Sequence, residues 1–426
     1  MSSELLGSAQ NVLKGNLGGA WDITNGYQDA YTDLGIARRF GAAAAAYSLR
    51  DIGAMNGPVV RVRRNNDSTE EDFSANQVQA GVLEDFCDNV LTVGTAVNGT
   101  GSVDNYTFTA NGNTGFDADN SAGGIGSAGF PYSFKNGDVM TVTYTVTNFS
   151  STSGLSPQIR GTTGTSSVTQ VAGGGTTFTA NGTYTDTLTA TADGTHLMFA
   201  DGNTGSYTIS NFEVLSHKTD GFVETWYDQS GSGNDATQTT AGQQPKIVEN
   251  GSIVKNVKGF PSITFESANS TELDIGLLIS NLNSVSAYVV QQKDTGDTLR
   301  LAGFTQGVSS DDSRFYLTFY STNGSLPHFG YNDSATKISF GTTLTGTTNM
   351  YSAFAGDTNI EAFKNGTSVG TTALVDQAVT DTTSKIGQLS NSFYFDGKIS
   401  EIFLTTQKLQ DDAATINSDV TSYYNL

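Results

Sequence analysis

The sequence predicts an all-β protein, and its composition is the first reason. Gly supplies 49 of the 426 residues and aromatic residues 10%, whereas charged residues make up only 15%. Abundant Gly, Thr, Tyr and Phe favour many short strands joined by tight turns. The low charged fraction excludes a coiled coil and a charge-rich disordered chain. At this length we expect two or three domains, each large enough to bury a core.

The charge balance limits the partners that the chain can bind. It has 21 basic and 42 acidic side chains, so its net charge is −21. We expect no nucleic-acid partner, because a polyanion would approach a surface of its own sign. The single cysteine, Cys87, cannot form an intrachain disulfide. The N-terminal residues lack the pattern of an export signal and no stretch approaches 18 apolar residues, so we expect neither export by that route nor membrane insertion.

Residues 1–40 have no convincing strand pattern, and we interpret them as an arm for attachment or oligomerisation. Buried contacts with a neighbouring protein would anchor such an arm. The apolar side chains that would supply them are Leu5, Leu6, Val12, Leu13 and Trp21.

The next segment predicts a strand and then a helix. Val60 and Val62 alternate with Arg61 and Arg63, which is typical of a strand with one buried face and its arginines on the solvent face. An apolar residue then recurs every fourth position, which predicts an amphipathic helix covering a sheet, with Cys87 beside it as an inert core thiol. The residues of that stripe are Val78, Val82, Phe86 and Val90.

Residues 91–216 differ in composition from their surroundings. They are rich in Thr and Gly and contain short alternating runs separated by turn signals about every ten residues. This spacing predicts a small β-sandwich of about 120 residues. The predicted strands are 106–109, 139–146, 183–189, 196–199 and 207–214.

The remainder of the chain predicts a second set of strands and a closing helix. Asp411 and Asp412 favour a helix N-terminus, and Ala413, Ile416 and Val420, with Tyr424, form an apolar stripe at helical spacing. The run 221–228 opens this part, and the predicted strands after it are 262–265, 287–291, 315–320, 350–354, 361–364 and 398–404.

Three segments carry a resemblance to known proteins: Ala-Ala-Tyr-Ser-Leu-Arg at 45–50, Val-Arg-Val-Arg-Arg-Asn-Asn-Asp-Ser at 60–68, and Thr-Trp-Tyr-Asp-Gln-Ser-Gly-Ser-Gly-Asn-Asp-Ala at 225–236. Together they resemble the laminin-G/concanavalin A-like sandwich of the α-L-arabinofuranosidase B catalytic domain. They resemble a group of tailed-phage virion proteins more closely. The resemblance implies a discontinuous sandwich formed by residues 41–90 and 217–426.

In that phage group the helix is followed within a few residues by the Gly-Phe-Val-x-Thr-Trp-Tyr-Asp-Gln-Ser-Gly stretch, whereas here about 130 residues separate them. Residues 91–216 therefore look like an inserted domain, and 182–194 and 207–214 resemble carbohydrate-binding modules of the jelly-roll type. The expected fold is a concanavalin A-like β-sandwich interrupted by a jelly-roll β-sandwich, with an N-terminal arm and a C-terminal helix.

A glycan-binding surface needs exposed aromatic side chains beside a few polar groups. Trp226 and Tyr227 are candidates, but successive strand residues point to opposite faces, so at most one is exposed, and core packing is the competing interpretation for Trp226. In the insert, Tyr132 and Tyr207 are candidates as loop or edge aromatics.

Glycoside hydrolysis would require two carboxyl groups about 5 to 5.5 Å apart for a retaining mechanism. The run 314–320, which we equate with the strand that carries the nucleophile in the arabinofuranosidases, contains no carboxylate. Glu224, Asp228 and Glu266 remain as candidates, and we expect no enzyme activity.

Asp228 and Asn234 have a simpler interpretation, in which their side chains bond to the backbone and organise the Asp-Gln-Ser-Gly-Ser-Gly-Asn loop. Asp117, Asp119 and Asn120 form a short oxygen-rich segment that could hold Ca²⁺, the one cofactor indicated, and a solvated acidic turn is the alternative.

The resemblance implies a structural protein on the exterior of a tailed bacteriophage virion, as a tail fibre, a spike or a head decoration. Its expected partners are other virion proteins, further copies of itself and host-surface glycans. One alternative is a glycoside hydrolase acting on host polysaccharide. The other is a soluble lectin, which would bind glycan as a free monomer.

Overall fold

The computed structural model describes most of the chain after residue 35. The predicted anchors Leu5, Leu6, Val12, Leu13 and Trp21 lie outside the described residues. The described residues are 36–39, 43–53, 57–99, 106–121, 123, 126–150, 158–160, 171–172, 176–201, 204–276, 279, 283–294, 304–306, 315–319, 327–331, 336–341, 345–374, 384–389 and 393–426.

The first segment contains three strands and three short helices, and the alternating Val and Arg residues form its second strand, as predicted. The elements are α1 (Ile36–Arg39), β1 (Ala43–Ser48), β2 (Pro58–Arg64), β3 (Glu70–Ser74), α2 (Ala75–Gln79) and α3 (Val82–Phe86).

The single helix predicted from the four-residue spacing is wrong, because two helices meet at Gly81. Gly81 has a φ of +84°, a left-handed conformation that glycine adopts without steric cost and that ends α2. Because the chain changes direction at Gly81, the side chains after it do not point as they would on one continuous helix. Val82 and Val90 are exposed, and Leu83 is buried. Cys87 is buried, and burial raises the pKa of its thiol to about 12, as expected for an inert core cysteine.

The middle segment forms two antiparallel sheets with a common core. One sheet has the order β10-β11-β8-β13-β6-β5 and the other β4-β7-β12-β9. The apolar side chains between them include Phe116, Phe130 and Phe199. The strands are β4 (Val97–Asn98), β5 (Thr107–Ala110), β6 (Phe116–Asp119), β7 (Gly126–Phe134), β8 (Val139–Ser150), β9 (Gln158–Arg160), β10 (Val171–Ala172), β11 (Gly182–Ala190), β12 (Gly194–Asp201) and β13 (Ser206–Lys218).

The third segment adds the remaining strands and the closing helix, whose predicted apolar residues are all buried. The elements are β14 (Gly221–Trp226), β15 (Ala236–Thr237), β16 (Lys246–Glu249), β17 (Ser252–Ile253), β18 (Ile263–Phe265), β19 (Leu273–Ile275), β20 (Ser286–Lys293), β21 (Phe304–Gln306), β22 (Phe315–Phe319), β23 (Pro327–Tyr331), β24 (Thr336–Ser339), β25 (Thr348–Ala355), β26 (Asn359–Lys364), β27 (Thr367–Ala373), β28 (Ser384–Ile386), β29 (Gln388–Leu389), β30 (Phe393–Tyr394), β31 (Gly397–Thr405) and α4 (Ala413–Tyr424).

These strands and β1–β3 form two layers around the main core, which β16 joins by pairing with β14 and β18, so that the sheet closes on itself. In one, β31 pairs with β1 and β18 on one side and with β20 on the other, and β25, β26 and β27 follow β20. The other runs from β3 through β2, β14, β15 and β19 to β28 and β21. Helix α4 covers the outer face of the first layer, so all eight residues of β20 are buried. The all-β prediction is confirmed.

A buried ion pair joins the first strand, the closing strand and α4. The carboxylate of Glu401 in β31 accepts hydrogen bonds from Arg50 Nε (2.7 Å) and Nη2 (2.9 Å). It also accepts bonds from the hydroxyls of Ser48 (2.8 Å), Tyr288 (2.8 Å) and Tyr424 (3.1 Å). Burial opposes ionisation, but the charge and hydrogen bonds of Arg50 outweigh it and hold the pKa of Glu401 below its ordinary value.

We predict that Glu401→Gln destabilises the fold by about 3–5 kcal/mol, because it removes the buried charge that faces Arg50 and leaves the guanidinium with the more exposed Asp419, 3.5 Å away, as its partner. Urea unfolding at neutral pH would measure this loss. The lowered pKa means that the stabilisation is present above the unfolded-state pKa of Glu401 and is lost as the pH falls through its folded value. The wild type and the variant should therefore converge in stability at acid pH.

The matched control is Asp357→Asn, since Asp357 is exposed and its ion pair with Lys408 is also at the surface. Its expected effect is within about 0.5 kcal/mol. Equal unfolding midpoints for Glu401→Gln and the wild type at neutral pH would contradict the structural role of the pair.

Candidate functional site

The candidate site lies where the chain leaves β14, at the two aromatic residues that end this strand. The Trp226 side chain is fully buried, with its ring 5.6 Å from that of Tyr47. Tyr227 points to the other face and is half-buried. Trp226 therefore cannot be a glycan platform, and that prediction is wrong, since its ring is part of the core.

Asp228 holds the loop that follows. Its carboxylate accepts the backbone N–H groups of Ala46 (2.9 Å), Ser230 (2.9 Å) and Asn234 (3.1 Å) and the hydroxyl of Ser230 (2.7 Å). Four donors fill the acceptor sites of one carboxylate. The Asn234 amide donates to the Ala44 carbonyl (2.8 Å), and the Asn234 carbonyl accepts the hydroxyl of Tyr47. Both side chains thus make the bonds that a loop-organising role requires.

The loop forms one wall of a groove with a volume of 260 Å³. The other wall comes from the start of β2 and from the turn between β3 and α2, where the Ser74 and Gln77 side chains form a capping box. The residues that give the groove its chemistry are Asp51, Pro58, Ser74, Asn76, Tyr227 and Asp235.

Tyr227 is a fixed aromatic side of this groove. Its hydroxyl donates to Asp72 Oδ1 (2.8 Å). Burial and the neighbouring Asp72 carboxylate together raise the pKa of Tyr227 to about 12, so the phenol is neutral at physiological pH. A neutral ring anchored through its hydroxyl presents a rigid surface and loses little conformational entropy when a ligand packs on it.

Three polar side chains that can accept or donate further hydrogen bonds line the groove: Asp51, Asn76 and Asp235. Asp235 Oδ1 accepts the Asp228 N–H (2.8 Å), and Asp51 Oδ1 accepts the Gly53 N–H (3.1 Å). Within the described part of the chain, no hydrogen bond occupies the second oxygen of either carboxylate or the side-chain amide of Asn76. An aromatic face beside carboxylate and amide groups suits a small ligand rich in hydroxyl groups.

The predicted aromatic platforms in the middle segment are wrong. Tyr132 and Tyr207 are both 2% exposed. Tyr132 lies in β7, where its hydroxyl is 2.9 Å from His217 Nδ1, and Tyr207 lies in β13 with its ring in edge contact with Phe116. Both occupy inward-facing positions of long strands, where the interpretation as loop or edge residues placed them at the surface.

The predicted calcium ligands do not share one face. Asp117 and Asp119 are exposed on β6, whereas Asn120 is fully buried. Hydrogen bonds from Thr208 and Asn111 lower the pKa of Asp117, and hydrogen bonds from Ser121 lower that of Asp119. Across the described residues, no group of three His, Cys, Asp or Glu side chains is arranged to hold a metal ion.

The three candidate catalytic carboxylates are not brought together either. Glu224 Oε2 is 3.8 Å from Arg61 Nε on the exposed side of β2. Asp228 lines the groove described above, and Glu266 lines a second groove. Asp51, Asn76 and Asp235 were not predicted. Of these three residues, only Asp235 lies in a segment that carries the resemblance to known proteins, residues 225–236.

Several solved structures of known proteins match a part of this chain. No protein-family model matches the chain, and no curated protein matches its sequence. Domain 4 of AbnA, a GH43 extracellular arabinanase from Geobacillus stearothermophilus, solved in complex with arabinotriose, matches at 16% identity over 37% of this chain and 75% of that chain, with a TM-score of 0.29.

Two larger proteins match over shorter parts of their length. Trypanosoma rangeli sialidase matches at 12% identity over 46% of this chain and 31% of that chain, with a TM-score of 0.33. The receptor binding domain of botulinum neurotoxin D matches at 13% identity over 47% of this chain and 49% of that chain, with a TM-score of 0.34. This chain therefore spans less than half of either protein. The helices described here include none long and apolar enough to cross a membrane.

We predict that Asp228→Asn destabilises the protein by about 1–3 kcal/mol, because the new amide nitrogen cannot accept the bonds from the Ser230 hydroxyl and the Asn234 N–H. Urea unfolding measures the loss, and faster amide exchange at residues 230–234 would localise it. Asp51→Asn is the control, since its one bond to Gly53 is retained. If the two variants are equally stable, Asp228 does not organise the loop.

Proposed function

We propose that the protein is a structural component on the exterior of a tailed bacteriophage virion, as a tail fibre, a spike or a head decoration, and that its Tyr227 groove contacts host-surface glycans. The observation that carries the glycan part is the groove itself. It places the fixed ring of Tyr227 beside the open polar atoms of Asp51, Asn76 and Asp235. A sugar ring presents an apolar face and a rim of hydroxyl groups, and this arrangement complements both.

The virion part rests on the resemblance of segments 45–50, 60–68 and 225–236 to tailed-phage virion proteins. The three segments contact one another in the fold. The Ala46 N–H of the first donates to Asp228 of the third, and the second and third pair as β2 and β14, with Val60 opposite Trp226. A virion appendage follows the symmetry of its particle, so we also propose that the chain assembles with copies of itself and with other virion proteins.

We propose further that residues 91–216 are an inserted sandwich. The middle core draws its buried residues from 96–214, and the main core draws its own from 45–87 and 223–404. Strand β13 continues to Lys218 and forms a bridge with Asp88, so the entry and the exit of the segment lie side by side. Adjacent ends are what allow a domain to be inserted into a loop of another.

We propose that the glycan contact does not involve hydrolysis. Asp228 already accepts four hydrogen bonds, so its carboxylate is committed to the loop and is poorly placed to act as a nucleophile or a base. The other two candidate carboxylates are not among the groove residues: Glu224 lies beside Arg61, and Glu266 lines the second groove.

Replacing the aromatic ring of the groove should weaken glycan binding. We predict that Tyr227→Ala lowers the affinity of the full chain for host cells or for their isolated surface polysaccharide roughly tenfold, about 1.4 kcal/mol, because the packing surface for the sugar is lost. Binding of the purified chain to host cells measures this loss. Tyr227→Phe is the control, since it keeps the ring and removes only the hydroxyl group that contacts Asp72 and Arg61.

Unchanged binding by Tyr227→Ala would contradict the glycan role of the groove. Release of reducing sugar from the polysaccharide by the wild type would favour the hydrolase alternative instead.

Removing residues 1–35 should abolish incorporation into particles, because these residues would supply the contacts with the neighbouring virion protein. Complementation of a phage mutant with the shortened chain, followed by quantification of the chain in purified particles, measures this. Unfolding of the purified shortened chain provides the folding control. Normal incorporation would contradict an attachment role. Glycan binding by a chain that never enters particles would favour the soluble lectin.

A further inference from the structure

A second groove, with a volume of 350 Å³, lies on the face of β2, β14 and β16 that points away from the main core. Its floor is formed by three residues at paired positions of these neighbouring strands. Arg63 is the register partner of Phe222, and Phe222 is the partner of Lys246. The 3₁₀ turn Ala241–Gln243 borders it, with Gln244 and Glu266 nearby. None of its lining residues belongs to the Tyr227 groove.

Arg63 is the unusual member of this groove. The sequence predicted it on a solvent-exposed face, but it is 8% exposed. Its Nε donates to Gln244 Oε1 (2.7 Å), its Nη2 to the Ala241 carbonyl (3.4 Å), and its guanidinium lies 5.1 Å from the centre of the Phe222 ring. All three partners are neutral. By contrast, Arg50, Arg61 and Arg64 each form an ion pair with a carboxylate.

No carboxylate oxygen among the described residues lies within 4.0 Å of the Arg63 guanidinium. Burial of an ionised group is unfavourable, and it lowers the pKa of Arg63 although the charge of Glu70, its register partner in β3, acts in the opposite direction; arginine stays protonated at physiological pH. The phenyl ring offsets a part of this cost. A guanidinium has five N–H donors in a planar fork that matches a carboxylate, and two of them are used here.

The neighbouring charges narrow the choice of ligand. Lys246 lies at the same floor, but Asp220 (3.0 Å) and Glu249 (3.3 Å) neutralise it. Glu266 adds a negative charge to the lining and disfavours a compact multivalent anion. Phe222 is half-buried and offers an apolar surface, and the amide of Asn65 is available for a hydroxyl group. A single carboxylate on a hydroxylated ring satisfies all of these groups.

We propose that this second groove binds an acidic saccharide, with the sugar carboxylate on the guanidinium of Arg63 and the sugar ring against Phe222. The site is separate from the Tyr227 groove and does not depend on the function proposed for that groove. It would allow a chain with a net charge of −21 to hold an anionic sugar at one local cation.

The test is a titration of the full-length protein with D-glucuronate, D-galacturonate and N-acetylneuraminate, followed by ligand-observed NMR. D-galactose is the neutral control and inorganic phosphate the bare-anion control. At least one sugar acid should bind more tightly than both controls. Arg63→Gln should weaken that binding at least about tenfold, because the charged hydrogen bonds are lost. Arg61→Gln, on the same strand but paired with Glu70 and Asp72, should leave it unchanged.

A thermal measurement separates binding from folding. Arg63→Gln should melt at or above the temperature of the wild type, since it removes a buried charge that forms no ion pair within 4.0 Å among the described residues. The sugar acid should raise the melting temperature of the wild type only. If Arg63→Gln does not fold, Phe222→Leu takes its place and should also weaken binding. The proposal is overturned if no sugar acid binds more tightly than galactose, if phosphate binds as tightly as the sugar acids, or if the folded variant binds like the wild type.

Discussion

The ion pair between Arg50 and Glu401 is the interaction on which the main sandwich depends. The carboxylate is fully buried and accepts bonds from β1, β20 and α4 as well as from Arg50. Five donors around one carboxylate offset the cost of burying it, and a partly satisfied cluster would be worse than an apolar one. The arrangement therefore fixes the register of β1 against β31, where Ser48 is paired with Glu401.

Strand β1, whose register is set by this ion pair, also positions one wall of the Tyr227 groove. The bonds from Ala44 and Ala46 to the 228–234 loop set the position of its wall, and Gln229 adds bonds to the carbonyls of Ser48 and Arg50. The same short strand thus connects the buried charge to the surface groove. Residues 45–50 therefore contribute both to the core and to the wall of the groove.

A second buried polar cluster lies where the middle segment meets the main sandwich. The Asp138 carboxylate accepts the Thr219 hydroxyl (2.6 Å) and the Lys135 N–H (2.8 Å) and lies 2.8 Å from His217 Nε2. The other nitrogen of His217 contacts the Tyr132 hydroxyl. His217 is fully buried, so this chain of groups has no access to a substrate, and its role is to hold β13 against the turn between β7 and β8.

Much of the fold could be predicted from the sequence because apolar and polar residues alternate regularly along its strands. The run 221–228 contains the strand Gly221–Trp226, and the stripe of the closing helix was predicted residue by residue. The four-residue spacing after Val78 led to the wrong prediction of a single helix, because the left-handed turn at Gly81 interrupts a helix without altering the pattern of apolar residues. Local periodicity reports burial only while the backbone stays regular.

The sites were harder to predict, for a different reason. The Tyr227 groove is built from residues 51–76 and 227–235, and the contacts that set its walls join positions more than 150 apart in the chain. Tyr132 and Tyr207 were misplaced because a long strand with one buried face and a loop with a single aromatic look alike over a few residues. Arg63 was misplaced because the turn at 241–243, which covers it, is remote in sequence.

The measurement that tests the central claim most directly is cryo-electron microscopy of purified particles of the phage that encodes this chain. The account predicts stoichiometric density for the chain on the particle exterior, with residues 1–35 against a neighbouring protein and the Tyr227 groove facing solvent. Particles that lack the chain, or a groove closed by a neighbouring virion protein, would contradict it.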